Sequence, residues 1–219
     1  MEIKSIQKIG GICAILEGLI YIVAFIIYGG VFVYPGTGAT AAEEFNFLSN
    51  NYMTLSILNF TSYVLFGILL AVVVVAIHER LKKNAPNVSK LAFIFGVIWV
   101  GLVMASGMIS NIGLHTIIGS ADPEEAMQIW SSVSIVTEGL GGGNEIVGGL
   151  WVLLISCISL QEKLFSKPLI FLGMLVGIAG ILTVYPLDIF TEIFGSTQII
   201  WFVWIGAVMI RKPEVPVKN

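Results

Sequence analysis

The chain has 219 residues, of which 57% are hydrophobic and only 11% are charged, whereas charged residues make up about 25% of an ordinary soluble domain. Its mean hydropathy is +0.95. A soluble protein must cover its surface with polar side chains, so this composition excludes a soluble globular domain and indicates a chain that faces lipid. The length predicts one transmembrane helical domain, residues 1–219, without room for a second domain.

Six apolar stretches are long enough, or nearly so, to cross a hydrocarbon core of about 30 Å. They are 9–34, 53–78, 91–119, 139–160, 169–185 and 192–210. The first stretch is longer than a signal-peptide core of about 7–15 residues, so we expect it to remain as a helix. The predicted fold is all-α, a polytopic bundle of six transmembrane helices.

A further helix is predicted at about 123–137, because Asp122 can cap it, Pro123 fits its first turn, and Glu124 and Glu125 suit its positive end. Continued to residue 160, this helix would be about 57 Å long, which exceeds the bilayer core. We therefore expect residues 123–137 to lie along the outer surface. The glycine-rich run 139–143 is the natural place for a bend, because glycine weakens a helix and permits unusual dihedral angles.

The charged residues outside the apolar stretches separate between two sides. One side carries all eleven basic residues with four acids, and the other has seven acids without any Lys or Arg. Basic residues stay on the cytoplasmic side during insertion. Both termini and the loops 79–90 and 161–168 are therefore predicted to be cytoplasmic.

The fourth predicted helix carries the strongest polar signal. Glu138 and Glu145 are seven residues apart, so a continuous helix would place them on one face, about 10.5 Å apart along its axis. Asn144 adjoins this face, and glycines occupy much of the rest of it. The pattern predicts carboxylates separated by bare backbone.

Other helices carry narrower polar lines, which include Glu17 on the first helix and Asn111 and His115 on the third. Polar groups in lipid are costly and face the bundle interior. Counted from the cytoplasmic ends at about 1.5 Å per residue, Glu17 lies roughly 12 Å deep, Glu145 roughly 22 Å and Asn111 roughly 30 Å. His115 and Glu138 lie near the outer boundary by the same count. We therefore expect one acidic pocket that opens outward.

The predicted site has a plainer interpretation beside the functional one. Glycines and Asn, Ser or Tyr side chains also serve helix packing, and interfacial Glu138 and His115 can be simply solvated. Glu145 and Glu17 differ, because an ionised carboxylate deep in the bilayer needs a cation, a metal, water or protonation. That requirement does not separate proton relay, cation binding, amine recognition and a metal site.

The missing motifs narrow the function. The sequence has no His-Glu-x-x-His, no Gly-x-Ser-x-Gly, no phosphate-binding loop and no cysteine pair at metal spacing. The sequence therefore predicts no cofactor and no nucleic-acid partner, and it does not decide whether a metal binds. It favours a protein that is not an enzyme without settling that question. The favoured function is binding or translocation of a cation, proton or small amine through the outward-facing pocket. The alternatives are an intramembrane metal-dependent hydrolase that uses His115 and the glutamates, and a non-catalytic accessory or structural subunit.

The opening segment 9–21, IGGICAILEGLIY after the basic Lys8, resembles a family of small prokaryotic integral membrane proteins of unknown function. Members start with an Arg/Lys-x-x-Gly-x-x-Tyr-like helix and continue through about six helices. The resemblance implies a multi-pass protein of a bacterial or archaeal plasma (inner) membrane, and it assigns no functional residues. Expected partners are the lipid bilayer and a cation or small-molecule ligand, with a homo-oligomer or another membrane protein left open.

Overall fold

The computed structural model describes residues 3–142, 144–185 and 187–213. Within these ranges the chain forms helices and no strand, which confirms the all-α prediction. The α-helices are α1 Ile3–Ile26, α2 Ala41–Asn50, α3 Tyr52–Asn59, α4 Phe66–Leu81, α5 Pro86–Ile118, α6 Pro123–Thr137, α7 Ile146–Glu162, α8 Lys167–Leu182 and α9 Asp188–Arg211.

Three short π-helical segments accompany these helices in the described part of the chain. Ile27–Val31 extends α1, Phe60–Leu65 joins α3 to α4, and Glu138–Gly142 continues α6 towards α7. A π-helical turn widens the backbone locally, and such turns occur frequently at functional sites.

Five helical stretches among the described residues are long and apolar enough to cross a membrane. They are Lys4–Val31, Tyr52–Leu81, Pro86–Ile118, Pro123–Glu162 and Asp188–Arg211. The apolar α8 is shorter, with 16 residues, or about 24 Å at 1.5 Å per residue. The chain is therefore a multi-pass membrane protein.

Several helix boundaries differ from the predicted ones, and local chemistry explains them. α5 begins at Pro86 rather than near residue 91, because a proline in the first turn lacks only an N–H that has no helical partner there. The predicted linker after residue 34 contains α2, whose first turn is closed by a capping box between Thr40 and Glu43. The helix predicted at 139–160 begins only at Ile146, because the glycine run interrupts it.

Glycines set the closest helix contacts. α1 packs against α9, and a Cβ placed on Gly11 would lie 2.7 Å from the carbonyl oxygen of Gly206. α8 packs between α7 and α9, and a Cβ on Gly149 would lie 2.7 Å from the carbonyl oxygen of Gly177. Small residues at such contacts let backbones approach closely in lipid, where packing drives helix association.

Aromatic rings fill the centre of the bundle. Trp99, Trp151 and Trp201 are each about 1% exposed. The centroids of Trp99 and Trp151 are 5.6 Å apart, and those of Trp151 and Trp201 are 5.7 Å apart. These rings contribute large apolar contact area together with specific edge and face contacts.

A second, smaller cluster lies where α2, α3, α5 and α6 meet. Its buried members are Leu48, Leu55, Leu114, Ile117 and Ala126. At 33 residues, α5 is roughly 50 Å long and outreaches a bilayer core of about 30 Å. Its last turns therefore serve as the support against which α2 and α6 pack.

Candidate functional site

A cavity of about 260 Å³ lies between α1, α9, the start of α7 and the π-helical segments. Its wall is mainly aromatic and aliphatic, and its only acids in the described chain are Glu145 and Glu192. No Lys, Arg or His is among the described lining residues. Glu192 and Phe25 are the exposed members of the wall, so they mark where the cavity meets the surface.

All three π-helical segments contribute to this wall. Tyr28 belongs to Ile27–Val31, Tyr63 to Phe60–Leu65, and Gly141 to Glu138–Gly142. Three independent departures from α-helical geometry therefore converge on one space. Since π-helical turns occur frequently at functional sites, this convergence singles out the cavity as the candidate site.

Glu145 occupies the N-cap position immediately before α7 and is only 8% exposed. Its Oε2 accepts a hydrogen bond from Trp99 Nε1 at 3.0 Å, and its backbone N–H donates to Thr183 Oγ1 at 2.8 Å. Thr183 in turn donates to the Gly180 carbonyl at 2.7 Å. The first bond holds the carboxyl group and the other two fix the backbone beside it, and they engage only one of the two carboxyl oxygens.

Trp99 reaches Glu145 because α7 carries Gly148. A Cβ on Gly148 would lie 2.5 Å from Cε2 of the Trp99 ring, so a larger residue there displaces the indole. The ring is enclosed on its other sides by Phe66, Trp151 and Phe202. Gly148 therefore leaves space for the Trp99 indole, which donates to Glu145, and not for an open channel.

Glu138 and Glu145 do not share a helix face, which corrects the sequence prediction. The chain leaves helical geometry at Gly141, where φ is +142° and ψ is 19°, and α7 resumes only at Ile146. An L residue rarely adopts such a positive φ. The bend expected in the run 139–143 is found at Gly141, and Gly143 lies outside the described residues.

Glu138 and Asn144 line a separate pocket of about 290 Å³. Glu138 is exposed, and Asn144 Oδ1 accepts from the Ile146 N–H at 3.3 Å, which caps the start of α7. Asp188 also lines this pocket, and Thr191 lines both pockets. The two spaces are therefore neighbours, and the second brings exposed acids beside the first.

Asn111 and His115 lie away from both spaces, at the contact of α5 with α3. Asn111 Nδ2 donates to the Ser56 carbonyl at 3.2 Å. His115 is exposed, and its Nδ1 lies 3.2 Å from the hydroxyl oxygen of Tyr52. The described residues contain no group of three or more His, Cys, Asp or Glu side chains that can hold a metal ion. The histidine and the glutamates of the hydrolase alternative are thus not brought together.

Glu17 lies inside the bundle on α1 with no exposed surface. Neither of its carboxyl oxygens has a hydrogen-bond partner among the described residues, and the same holds for the side-chain amide of Gln198 on α9. Glu17 does not line the cavity, although Tyr21, one turn further along α1, does.

A comparison with protein families matches residues 9–212 to a domain of unknown function, DUF4386. The chain belongs to the DUF4386 family. It matches no curated protein and no solved structure. Membership in DUF4386 agrees with the resemblance to an uncharacterised family and assigns no substrate.

Sequence reasoning about this DUF4386 chain missed Trp99 and Thr183, the two partners of Glu145. Trp99 lies in an apolar run, where a tryptophan is expected to be an ordinary core residue. It is also 46 positions from Glu145 in the chain, so the sequence does not indicate that the two are in contact.

Arg80 was predicted to lie in the cytoplasmic loop 79–90, whereas it belongs to α4 and is buried. Its Nη1 donates to Gln7 Oε1 at 3.1 Å and to the Lys212 carbonyl at 3.0 Å. The one signal in the sequence for this buried, hydrogen-bonded position of Arg80 is that charged residues are rare in the chain.

Proposed function

We propose that this chain binds a cation, a proton or a small amine in the Glu145 cavity and passes it across a prokaryotic plasma membrane. The supporting observation is a buried carboxyl, fixed by Trp99 and Thr183, that borders a space without a basic side chain among the described residues. An uncompensated carboxylate in a medium of low dielectric constant is costly. A positive ligand or a proton removes that cost.

The proposal includes six membrane crossings, with α8 as the fifth. The helix is short, but it packs against both α7 and α9, and Gly173 and Gly180 on α8 meet Trp201 and Phe194 on α9 in antiparallel order. With six crossings, all eleven basic residues fall on one side, which the insertion rule makes cytoplasmic.

With this orientation the cavity belongs to the outer half of the membrane. Its lining comes from the second half of α1, the first turns of α9 and the start of α7, which are the helix ends remote from the basic loops. Exposed Glu192, Glu138 and Asp188 lie at or beside the entrance. Acids around a cleft attract cations and raise their local concentration.

Thermal unfolding of the purified protein in detergent tests the proposal. Wild type and Glu145→Gln are compared across pH, with and without monovalent, divalent and organic cations. We expect a pH-dependent or cation-dependent change in stability that Glu145→Gln removes while the fold is retained. Identical profiles for the two proteins under every condition would contradict the proposal and favour the accessory-subunit function.

A further inference from the structure

The chemistry of the cavity wall narrows the class of ligand beyond a cation in general. Six of the fifteen described residues that line the cavity are aromatic. They are Tyr21, Phe25, Tyr28, Tyr63, Phe66 and Phe194. Aromatic faces attract a cation placed within about 6 Å of the ring centre, and recognition of organic ammonium groups is the main functional use of this attraction.

Two rings of the cavity wall, Tyr21 and Phe66, are held in place before any ligand arrives. Tyr21 meets Phe66 edge to face with centroids 5.3 Å apart, and it stacks on Phe202 at 6.5 Å. Phe66 in turn packs on Trp99 at 6.2 Å, which is the donor to Glu145. One continuous set of ring contacts therefore fixes both the aromatic wall and the carboxyl, and preorganisation of this kind reduces the entropy lost on binding.

An inorganic ion suits this space less well. Ca²⁺ takes about six to eight oxygen ligands and Mg²⁺ takes six, at about 2.0–2.6 Å, so such an ion would occupy only a small part of a 260 Å³ cavity. The remaining space would hold water against apolar walls. Several of the polar groups are already engaged, since Glu145 Oε2 accepts from Trp99 and the Tyr28 hydroxyl donates to Asn59 Oδ1.

Size gives the remaining constraint. Pockets for drug-sized ligands have volumes of roughly 300–1,000 Å³, and this cavity lies just below that range. It therefore fits a small molecule with one charged end and one apolar end. The charged end belongs at Glu145 and the apolar body against the rings.

We propose that the ligand is a small hydrophobic amine in its ammonium form, held by the free carboxyl oxygen of Glu145 and by the rings of Tyr21 and Tyr63. This proposal rests on the proposed function and specifies its ligand. The ammonium N–H donates to Glu145, and the alkyl or aryl part fills the space between α1 and α9. Glu192 at the entrance attracts the cation without being buried by it.

Phenethylammonium and its neutral analogue phenethyl alcohol are suitable probes, because they share an apolar body and differ in the charged group. Their binding to the purified full chain in detergent is measured by thermal shift and by calorimetry, beside Na⁺, K⁺ and Ca²⁺. We expect phenethylammonium alone to raise the unfolding temperature. Glu145→Gln should weaken its binding roughly 10- to 100-fold, the range expected for a lost hydrogen bond to a charged group.

Three further variants separate binding from folding. Glu125→Gln makes the same charge change on the exposed face of α6, outside both pockets, and should bind phenethylammonium as wild type does. Tyr63→Phe keeps the ring and should retain affinity, whereas Tyr63→Leu removes it and should weaken binding by roughly 3- to 30-fold. Equal binding by the Phe and Leu variants would contradict the role of the ring.

The possible results distinguish the two proposals. Stabilisation by Na⁺, K⁺ or Ca²⁺ but not by phenethylammonium, lost in Glu145→Gln, would overturn the amine proposal and leave the proposed function standing. Equal binding of the amine and the alcohol would also overturn it, because the charge would then contribute nothing. No effect of any cation or of pH would overturn both proposals.

Discussion

The surroundings of Glu145 and Glu17 show why burial alone does not define a site. Both carboxyls lie inside apolar spans and are almost or fully removed from the surface. Glu145 accepts a hydrogen bond from Trp99 and borders a cavity, whereas Glu17 has neither a partner among the described residues nor a place in the cavity wall. The space beside a carboxyl and the groups that fix it determine whether it can bind a ligand.

The structure therefore gives the two residues different energetic roles. Glu145 has a donor, and a proton or a cation in the cavity can balance its charge. Glu17 carries a desolvation cost that no described contact offsets. Intramembrane acids are generally functional, so we expect Glu17 to gain a partner in another conformation of the protein, such as one that the proposed translocation would require.

The largest expected effect comes from a substitution that removes the hydrogen-bond donor of Glu145, so that its carboxyl, like that of Glu17, has no partner among the described residues. Gly148→Ala places a methyl group where it would lie 2.5 Å from a Trp99 ring carbon, so the indole must move away from the carboxyl. We expect a loss of about 3 kcal/mol in the free energy of unfolding, together with loss of phenethylammonium binding. Reversible unfolding in mixed detergent micelles measures the first and calorimetry the second.

Gly101→Ala is the control for that substitution, because nothing lies within 4 Å of a Cβ at Gly101. Its stability should be unchanged or higher by up to about 1 kcal/mol, the helix-propensity gain of alanine over glycine. If Gly148→Ala behaved like Gly101→Ala, the Trp99–Glu145 contact would not hold the site together.

The second prediction compares how the removal of each acid changes the free energy of unfolding. Glu17→Met should raise the free energy of unfolding by about 2 kcal/mol, because an unpaired buried polar group disappears. Glu145→Met should lower it by a similar amount, about 2 kcal/mol, because the Trp99 N–H is left without an acceptor. Unfolding in mixed micelles measures both, and changes of the same sign would contradict the distinction.

The all-helical fold could be predicted from the sequence, because the length of an apolar run is a local property of the chain. The side of the membrane on which the basic residues lie stays a prediction. The predicted relation of Glu138 to Glu145 was wrong, since helical periodicity does not extend across a bend such as the one at Gly141. The helix α2 was not predicted, although the Thr40-x-x-Glu43 capping box that closes its first turn is a signal that the sequence contains. The Trp99–Glu145 bond was not predictable, because it depends on how α5 and α7 pack.

The third prediction concerns the turn that places Glu145 at the cavity. Gly141→Ala leaves enough space, since the nearest atom to an added Cβ is 3.7 Å away, but it forces an L residue into a φ of +142°. We expect a loss of about 1–2 kcal/mol from backbone strain and weaker amine binding. Wild-type affinity combined with reduced stability would show that the turn supports the fold but not the site.

The smallest effect is expected at Glu43, an exposed carboxyl that serves as a reference for the two buried ones. Its Oε2 accepts from the Thr40 N–H at 2.8 Å and from the Thr40 hydroxyl at 3.0 Å, and these bonds lower the pKa of Glu43 from its ordinary 4.5. The stabilisation is fully present above that value and is lost as pH falls through the lowered pKa. The protection of the α2 amides, measured as the ratio of the intrinsic to the observed hydrogen-exchange rate at each pH, should therefore fall in acid for wild type, and Glu43→Gln should remove this pH dependence.

The most direct test of the central claim asks from which side a cation reaches the Glu145 cavity. Ser62→Cys places a thiol in the cavity wall, and intact cells are treated with membrane-impermeant methanethiosulfonate reagents that are cationic or anionic. Asn46→Cys serves as the external control, Ser166→Cys as the cytoplasmic control, and wild type reports the background from Cys13 and Cys157. We expect the thiol introduced by Ser62→Cys to react from outside, faster with the cationic reagent, and to be protected by phenethylammonium. Reaction only after the cells are permeabilised, or faster reaction with the anionic reagent, would contradict an acidic cavity that opens outward.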